Sequence, residues 1–399
     1  MNELNHSIFK VQTAGRINII GEHTDHQLGF VLPISINAKI TIYGTKRDDK
    51  QILAYSENFN EKYILPISKI ENFSPHKGVW FNYVIGIAKW FNNRNPMTHG
   101  CNIIITSELP QGAGLSSSAA LEIGLLTLFE HIYEFVFDPY DAINLCWEVE
   151  NNFIGVKCGI MDQFIVKFGL ENIALKINCA DLTYEKVKLP LNMRLLIIDT
   201  NVKHSLIKTP YNTRIEECKF ALKKIISLGF NISNLSELSL NDLQEIRKKL
   251  EIPYYSRVKH VVTENIRVNK FYDILKDQEA TNTNQTLLKL GKLLYESHES
   301  LRLDFESSWE RADLIVEYCK KKLPSEIYGA RMVGGGWGGA VLIMVNTNSI
   351  QKINKNLEDW FSSNFHEKAI IYQFRTSNGT EFSRISKNEL PLSCRPFFT

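Results

Sequence analysis

Between Leu109 and Ala120 the chain reads Leu-Pro-Gln-Gly-Ala-Gly-Leu-Ser-Ser-Ser-Ala-Ala, with two glycines and three consecutive hydroxyls. A turn of this kind that opens a helix gathers unpaired N–H groups, the positive end of the helix dipole and serine hydroxyls around an anion. Gly112, Ala113, Gly114, Leu115, Ser116, Ser117 and Ser118 therefore form a candidate phosphate cradle, and the lack of a following Gly-Lys-Ser/Thr excludes a Walker A loop. A second segment, Ala14 to Asp25, crowds Arg16, Glu22, His23, Thr24 and Asp25 into a short stretch. Two further acids stand out. Glu150 lies in Trp-Glu-Val-Glu-Asn-Asn, and Asp162 lies in Gly-Ile-Met-Asp-Gln-Phe, where apolar neighbours would desolvate it and a nearby Arg16 would keep it ionised. Each has an ordinary alternative: a serine-capped surface turn, a solvated helix charge at Glu150, a capping aspartate at 162, a structural ion pair at Arg16 and a structural histidine at 23.

The elements that must hold these residues are legible from periodicity. Asn102–Thr106 reads as a buried strand leading into the glycine turn, and Ala119, Leu121, Leu125 and Leu128 recur at helical spacing after it. Ile36–Ile42 alternates as a strand just beyond the first polar segment. A second glycine-dense turn, Gly329 to Gly339, feeds the apolar strand Ala340–Val345. Arg194–Asp199 reads as a strand closing the first half, followed by a helix with Ile215, Cys218, Leu222, Ile225 and Ile226 on one face. Ser239 caps a helix through Leu243, Ile246 and Leu250. A helix through Ile350, Ile353, Leu357 and Trp360 then precedes the strand Ala369–Phe374, giving an α+β layer, and the tail after Gly379 is polar and unassigned. The division is placed near residue 200, into segments 1–200 and 201–399.

Composition narrows the class less than the motifs do. The 399 residues are 44% hydrophobic with a formal charge of +2, so there is no basic stripe for nucleic acid or an anionic membrane. Met1–His6 lacks the apolar core of a signal peptide, and no apolar run is long enough to cross a bilayer, so a cytoplasmic protein is expected, a monomer or weak dimer. The seven cysteines are scattered without a Cys-x-x-Cys pair, which argues for reduced thiols.

In their order along the chain the three motifs resemble the signature motifs of the GHMP small-molecule kinases, and the first is similar to the galactokinase sugar-binding signature. Smaller segments agree: Trp80–Val84, Cys158–Phe164, His260–Asn265 and Ser297–Arg302. The resemblance spans about Val11 to Phe374. It implies an α+β GHMP kinase fold, with an N-terminal domain like the second domain of ribosomal protein S5, a C-terminal ferredoxin-like domain and the site between them. It further implies ATP-dependent phosphorylation of the anomeric hydroxyl of galactose to give galactose 1-phosphate. On that resemblance Gly112 to Ser118 hold ATP, with Ser56 a weaker nucleotide contact. Ser118 and Glu150 bind Mg2+, Asp162 accepts the proton and Arg16 stabilises the transition state. Glu22, His23, Thr24, Asp25, Gly159 and Tyr211 bind the sugar.

Several positions depart from the usual galactokinase pattern. His26 stands where Tyr is usual, Tyr211 follows Thr-Pro, Trp337 and Ala340 replace Phe and Cys, and Ala14 replaces a proline. The Asp25-His26-Gln27 and Tyr211-Asn212-x-Arg214 variants also resemble galacturonokinase. If Glu22 faces the sixth carbon of the sugar, a uronate would meet a like charge, costing several kcal/mol even at an effective dielectric of about 20, so neutral galactose is expected. A non-catalytic sugar and ATP sensor on the same fold is the alternative of a different class; intact Arg16, Asp162 and Ser118-Ala119-Ala120 favour the enzyme.

Overall fold

The computed structural model describes residues 8–110, 112–202, 210–277 and 283–398. Met1–His6, Gln111 and Thr209, touched by the sequence reading, lie outside them.

The N-terminal strands are β1 (Ile8–Asn18), β2 (Phe30–Val31), β3 (Pro33–Arg47), β4 (Gln51–Ser56), β5 (Glu61–Pro66) and β6 (Gly100–Ser107). β7 (Ile173–Asn178), β8 (Tyr184–Lys188) and β9 (Met193–Asp199) lie mid-chain, and β10 (Ile327–Val333), β11 (Ala340–Asn346), β12 (Ile371–Gln373) and β13 (Thr380–Ile385) near the end. Among the described residues they form three sheets, ordered β13-β1-β3-β6-β4-β5, β10-β11-β9-β12 and β2-β7-β8. In β3 the alternation works as expected: Ile36, Ala38, Ile40 and Ile42 are buried while Asn37, Lys39 and Thr41 are not.

Helices α1 (Phe81–Asn92), α2 (Ser117–Ile132), α3 (Pro139–Glu148) and α4 (Met161–Phe168) pack with the first sheet. α2 is apolar nearly all round, so it is buried rather than laid on a surface. It is keyed to β1 by the Thr13 hydroxyl donating to the Ala120 carbonyl at 2.7 Å. In the second half, α5 (Tyr211–Ser227), α6 (Leu240–Ile246) and α7 (Tyr254–Lys276) enclose a small core of their own around Cys218, Ile225, Leu243 and Val261. α6 opens on the Ser239 cap, with Asp242 completing a capping box. α8 (Asn284–Ser300) lies along β10, while α9 (Glu310–Lys322) and α10 (Ile350–Phe365) cover the C-terminal sheet through Ile315, Val316, Ile353, Leu357 and Phe361.

Two strands join sheets distant from their sequence neighbours. β9 pairs with β11 and β12, so by sheet partnership Met193–Asp199 goes with the chain that follows it. The polar tail returns to the N-terminal layer, where β13 pairs with β1 from Ile8↔Ile385 to Thr13↔Thr380. Beyond it Leu390 and Cys394 close over Ile8, Tyr43 and Ile104, and Phe397 stacks on Tyr55 at 4.2 Å. All seven cysteines are free, and no helix among the described residues is long and apolar enough to cross a membrane.

Candidate active site

The three motifs meet at a cleft of about 270 Å3 between the N- and C-terminal sheets. The turn after β6 reaches it because Ser116 takes a left-handed backbone conformation, φ 58°, just before α2 begins at Ser117. Ser116 occupies the cap position without capping: its hydroxyl donates instead to Asp162 Oδ2. The first turn of α2 thus presents backbone N–H groups with no side-chain cap beside Ser117 and Ser118, which line the cleft. That geometry favours the anion cradle over the capped surface turn. The third motif touches this turn back to back, glycine on glycine. Gly334 and Gly114 both have positive φ, and a Cβ on Gly334 would sit 3.2 Å from the Gly114 Cα.

At one end of the cleft, β1 delivers Arg16 and the first turn of α4 delivers Asp162. They form a two-pronged ion pair, Arg16 Nε to Oδ1 at 2.7 Å and a terminal nitrogen to Oδ2 at 2.8 Å, and Arg16 also donates to the Gly114 carbonyl. Burial alone would lower the Arg16 pKa, but Asp162, with Glu22 and Asp25 beyond, holds it above its usual value. Asp162 is not the helix cap, a position filled by Ile160. Glu150 lies in a π-helical turn, Val149–Ile154, that follows α3 and turns the carboxylate inward to 6% exposure, so it is not the solvated helix charge. Burial raises its pKa against hydrogen bonds from Ser118, Cys158 and Gln163.

At the other end stand the polar residues that follow β1. Glu22 is buried, and its Oε1 accepts from Arg331 at 3.1 Å and from the Gly334 N–H at 2.9 Å, while Oε2 accepts from Asn18 at 3.3 Å. The fully buried Arg331 pairs with this carboxylate, so the charge expected to meet a uronate is partly compensated, although it still bears on Arg16 and Asp25. His23, also left-handed at φ 61°, stacks on Phe305 at 4.4 Å, and its Nε2 is buried without a partner. Burial, reinforced by His26, His260, Arg331 and Arg214, drives its pKa well below the usual range, so the ring is neutral. Burial and the neighbouring Asp162 carboxylate push Asp25 up to about 7. Gly159 is where it is because a Cβ there would lie 2.1 Å from Asp25 Oδ2. Tyr211 opens α5 and stands 5.7 Å, ring to ring, from His23.

Arg16, Glu22, His23, Asp25, Gly112, Gly114, Leu115, Ser116, Ser117, Ser118, Glu150, Gly159, Asp162 and Tyr211 all line this one cleft. Three expected contacts are not among its lining residues. Thr24 is fully buried, its hydroxyl shared between the Gly21 and Phe30 carbonyls, where it shapes the loop. Ala113 packs into the hydrophobic core, and Ser56 is buried at the end of β4. Conversely, sequence reasoning gave no role to Arg331, Gln163, Glu122 or Phe305. Arg331 and Gln163 stand inside quoted motifs, yet only tertiary contact shows what they touch. Two of the lesser matching segments, His260–Asn265 and Ser297–Arg302, back the first motif. His260 reaches the Glu22 carbonyl at 3.0 Å, Glu264 accepts from the Gly21 N–H at 3.0 Å and from Ser297 at 2.6 Å, and Asn265 accepts from the Phe30 N–H at 2.9 Å.

A mixed fold with a glycine-rich anion loop at its domain junction is the architecture of the GHMP kinases. The families "GHMP kinases N terminal domain" and "GHMP kinases C terminal" match residues 82–170 and 279–363. The "Galactokinase galactose-binding signature" matches residues 3–46. The galactokinase of Thermotoga maritima is 36% identical over 375 residues, covering 93% of this chain and 99% of that protein. That of Thermosipho africanus is 35% identical over 373 residues, covering 93% and 98%. The crystal structure of Lactococcus lactis galactokinase complexed with galactose superposes with a TM-score of 0.87 at 29% identity, covering 94% of this chain and 95% of that one. A mevalonate kinase shares the fold at a TM-score of 0.65 and 21% identity, covering 92% and 99%. The chain belongs to the galactokinase family, and it is a phosphotransferase.

Proposed function

We propose that this chain transfers the γ-phosphoryl group of ATP to the anomeric hydroxyl of galactose, giving galactose 1-phosphate. The observation that carries this reading is the Arg16–Asp162 pair, set between the N-terminus of α2 and the polar residues from Glu22 to Asp25. Phosphoryl transfer needs little covalent help from a protein; positioning and charge stabilisation supply most of the rate. The α2 N-terminus and Gly112 to Ser118 hold the phosphates. Arg16 places a fixed positive charge beside them, with N–H groups left over after its bonds to Asp162 and Gly114. Asp162 accepts three hydrogen bonds on about four lone-pair sites, which leaves room for the acceptor hydroxyl, whose proton it takes.

The donors at Ser118 and Glu150 suit Mg2+, a hard cation that takes one or two protein oxygens and completes its shell with phosphate and water. When bound, the ion would neutralise phosphate charge. Glu22, His23, Asp25, Gly159 and Tyr211 receive the sugar, and a site built from buried polar groups discriminates strongly between hydroxyl patterns. The free cysteines, all but Cys158 buried, support a reducing cytoplasmic setting.

The test is ADP release by the purified protein with Mg-ATP and galactose, N-acetylgalactosamine, galacturonate, arabinose or glucose, with the phosphorylated carbon assigned by NMR. Turnover with galactose giving the 1-phosphate is expected. Preference for galacturonate would keep the kinase chemistry and overturn the sugar, and sugar binding with no turnover on any member would overturn the enzyme.

A further inference from the structure

We propose that Gln163 is a positioning residue that aims Glu150 at the metal–nucleotide complex, and that the wholly buried Glu122 is what fixes Gln163. The inference rests on the reading of Glu150 as a metal ligand. Glu122 projects from α2, Gln163 from the first turn of α4 beside Asp162, and Glu150 from the turn after α3, so three separate elements converge on one amide. Gln163 Nε2 donates to Glu150 Oε2 at 2.7 Å and to Glu122 Oε2 at 3.1 Å. An amide nitrogen has two hydrogens, and both are used. The Cys158 thiol adds a contact of 3.5 Å to the same Glu150 oxygen. One oxygen of Glu150 is thus held from behind by Gln163 and Cys158, while the carboxylate also takes a hydrogen bond from Ser118, the other proposed metal ligand, at the cleft.

Packing alone gives no reason for an acid at 122. Its neighbours Leu121, Ile123 and Leu125 are core residues, and its own exposure is 0%. Neither Glu122 nor Glu150 has an ion-pair partner among the described residues, and burying carboxyl groups without one is costly. A network serving stability alone would also satisfy its remaining atoms, yet Glu122 Oε1 and Gln163 Oε1 are buried without partners. What Glu122 does supply is the acceptor that stops the Gln163 amide from rotating away from Glu150. Groups that orient a metal ligand in this way commonly change affinity by about 10- to 100-fold.

The test is a titration with Mn2+ as the probe, read by its EPR signal in the presence of a non-hydrolysable ATP analogue, on the full chain. Gln163→Leu and Gln163→Asn should weaken Mn2+ binding by about 10-fold. Glu122→Leu should weaken it by several-fold, and Glu122→Gln, which keeps an acceptor oxygen, should restore it. In turnover the half-saturating Mg2+ should rise by the same factors while KM for the sugar stays within about twofold, a split that general loss of structure would not produce. Gln163→Asn is the smaller change and carries the test where Gln163→Leu does not fold. Wild-type Mn2+ affinity in the Gln163 and Glu122→Leu variants, with Glu150→Ala weakened, would overturn the proposal. Unchanged affinity in Glu150→Ala would instead overturn the reading on which it rests.

Discussion

Each end of the cleft holds one aspartate, and the protein treats them in opposite ways. Asp162 is held by charged and hydroxyl donors: two Arg16 nitrogens and the Ser116 hydroxyl converge on it before any substrate arrives, with one acceptor site to spare. Asp25 is desolvated near other carboxylates, lifted to about 7, and held chiefly by the backbone N–H of His26. Its neighbours His23 and His26 each keep a buried, unpartnered Nε2, with the His26 pKa pushed down to about 3 by burial. The first end is preorganised for charge that develops during transfer. The second is left with unmet hydrogen-bonding capacity, which the hydroxyls of the right sugar would fill and those of a wrong one would not. One substitution, Asp to Asn, should therefore give contrary results at the two sites.

The largest effect is expected at Asp162. Asp162→Asn removes the proposed proton acceptor and leaves the buried Arg16 charge half-matched, so kcat should fall by about 10^3-fold while ATP still binds. Stability should drop by about 2 kcal/mol, less than for a fully buried pair because Asp162 is 25% exposed. Steady-state kinetics with urea unfolding would check both. A variant with near-normal kcat would remove Asp162 from the chemistry and collapse the contrast.

At Asp25 the signs reverse. Its folded value of about 7 lies above the 3.8 of an ordinary aspartate, so between those values the folded protein retains a proton that the unfolded chain releases. The Asp25 contribution to stability therefore falls as pH rises from about 4 to about 7, and the full deficit is present above that. Asp25→Asn abolishes it. The variant should be more stable than wild type at pH 8, by up to ~4 kcal/mol at 1.36 kcal/mol per unit, with the gain shrinking as pH is lowered toward 4. The buried His260, lowered to about 4 by desolvation, acts oppositely, losing stability as pH falls below 6.5 in both proteins, so it cancels in the comparison. In the same variant KM for galactose should rise by about 10- to 100-fold with kcat much less affected. Urea unfolding at a series of pH values is the measurement, and a variant less stable than wild type at pH 8 would show that Asp25 is as well paired as Asp162.

How much of this contrast was legible in the sequence depends on how local its causes are. The glycine turn before α2, the alternation in β3 and the Ser239 cap follow from neighbouring residues, and the structure has them where periodicity puts them. Asp25 and Asp162 could be named from motifs, but their opposite environments arise from residues far away in sequence: Arg16 for one, Gly159 and the flanking carboxylates for the other. Arg331 stands in the third motif, yet nothing local shows that it pairs with Glu22 more than 300 residues away. The same holds for β13. An edge strand with one open face needs few apolar residues, so Thr-Glu-Phe-Ser-Arg-Ile reads as tail until its pairing with β1 is seen. Thr24 shows the converse: it stands in the motif, yet its hydroxyl satisfies the buried Gly21 and Phe30 carbonyls and the residue is not among those lining the cleft.

The smallest effect should come from Gly159, which tests whether the two ends are independent. Gly159 lies against Asp25, and three residues later the same segment carries Asp162 into α4. Its φ is not in the left-handed region, so Gly159→Ala meets no backbone penalty, only the 2.1 Å approach to Asp25 Oδ2, which must move. If the segment is stiff enough for the Arg16–Asp162 pair to stay in place, the strain is taken up by Asp25. KM for galactose should then rise by about 3- to 10-fold with kcat unchanged, which is a loss of ground-state and transition-state binding alike. If instead the segment shifts as a unit, kcat should fall with little change in KM, because Asp162 would be displaced from the acceptor hydroxyl. The first outcome would establish sugar recognition and transfer as separable functions of one short segment, while the second would mean that the unfilled end sets the geometry of the engaged one.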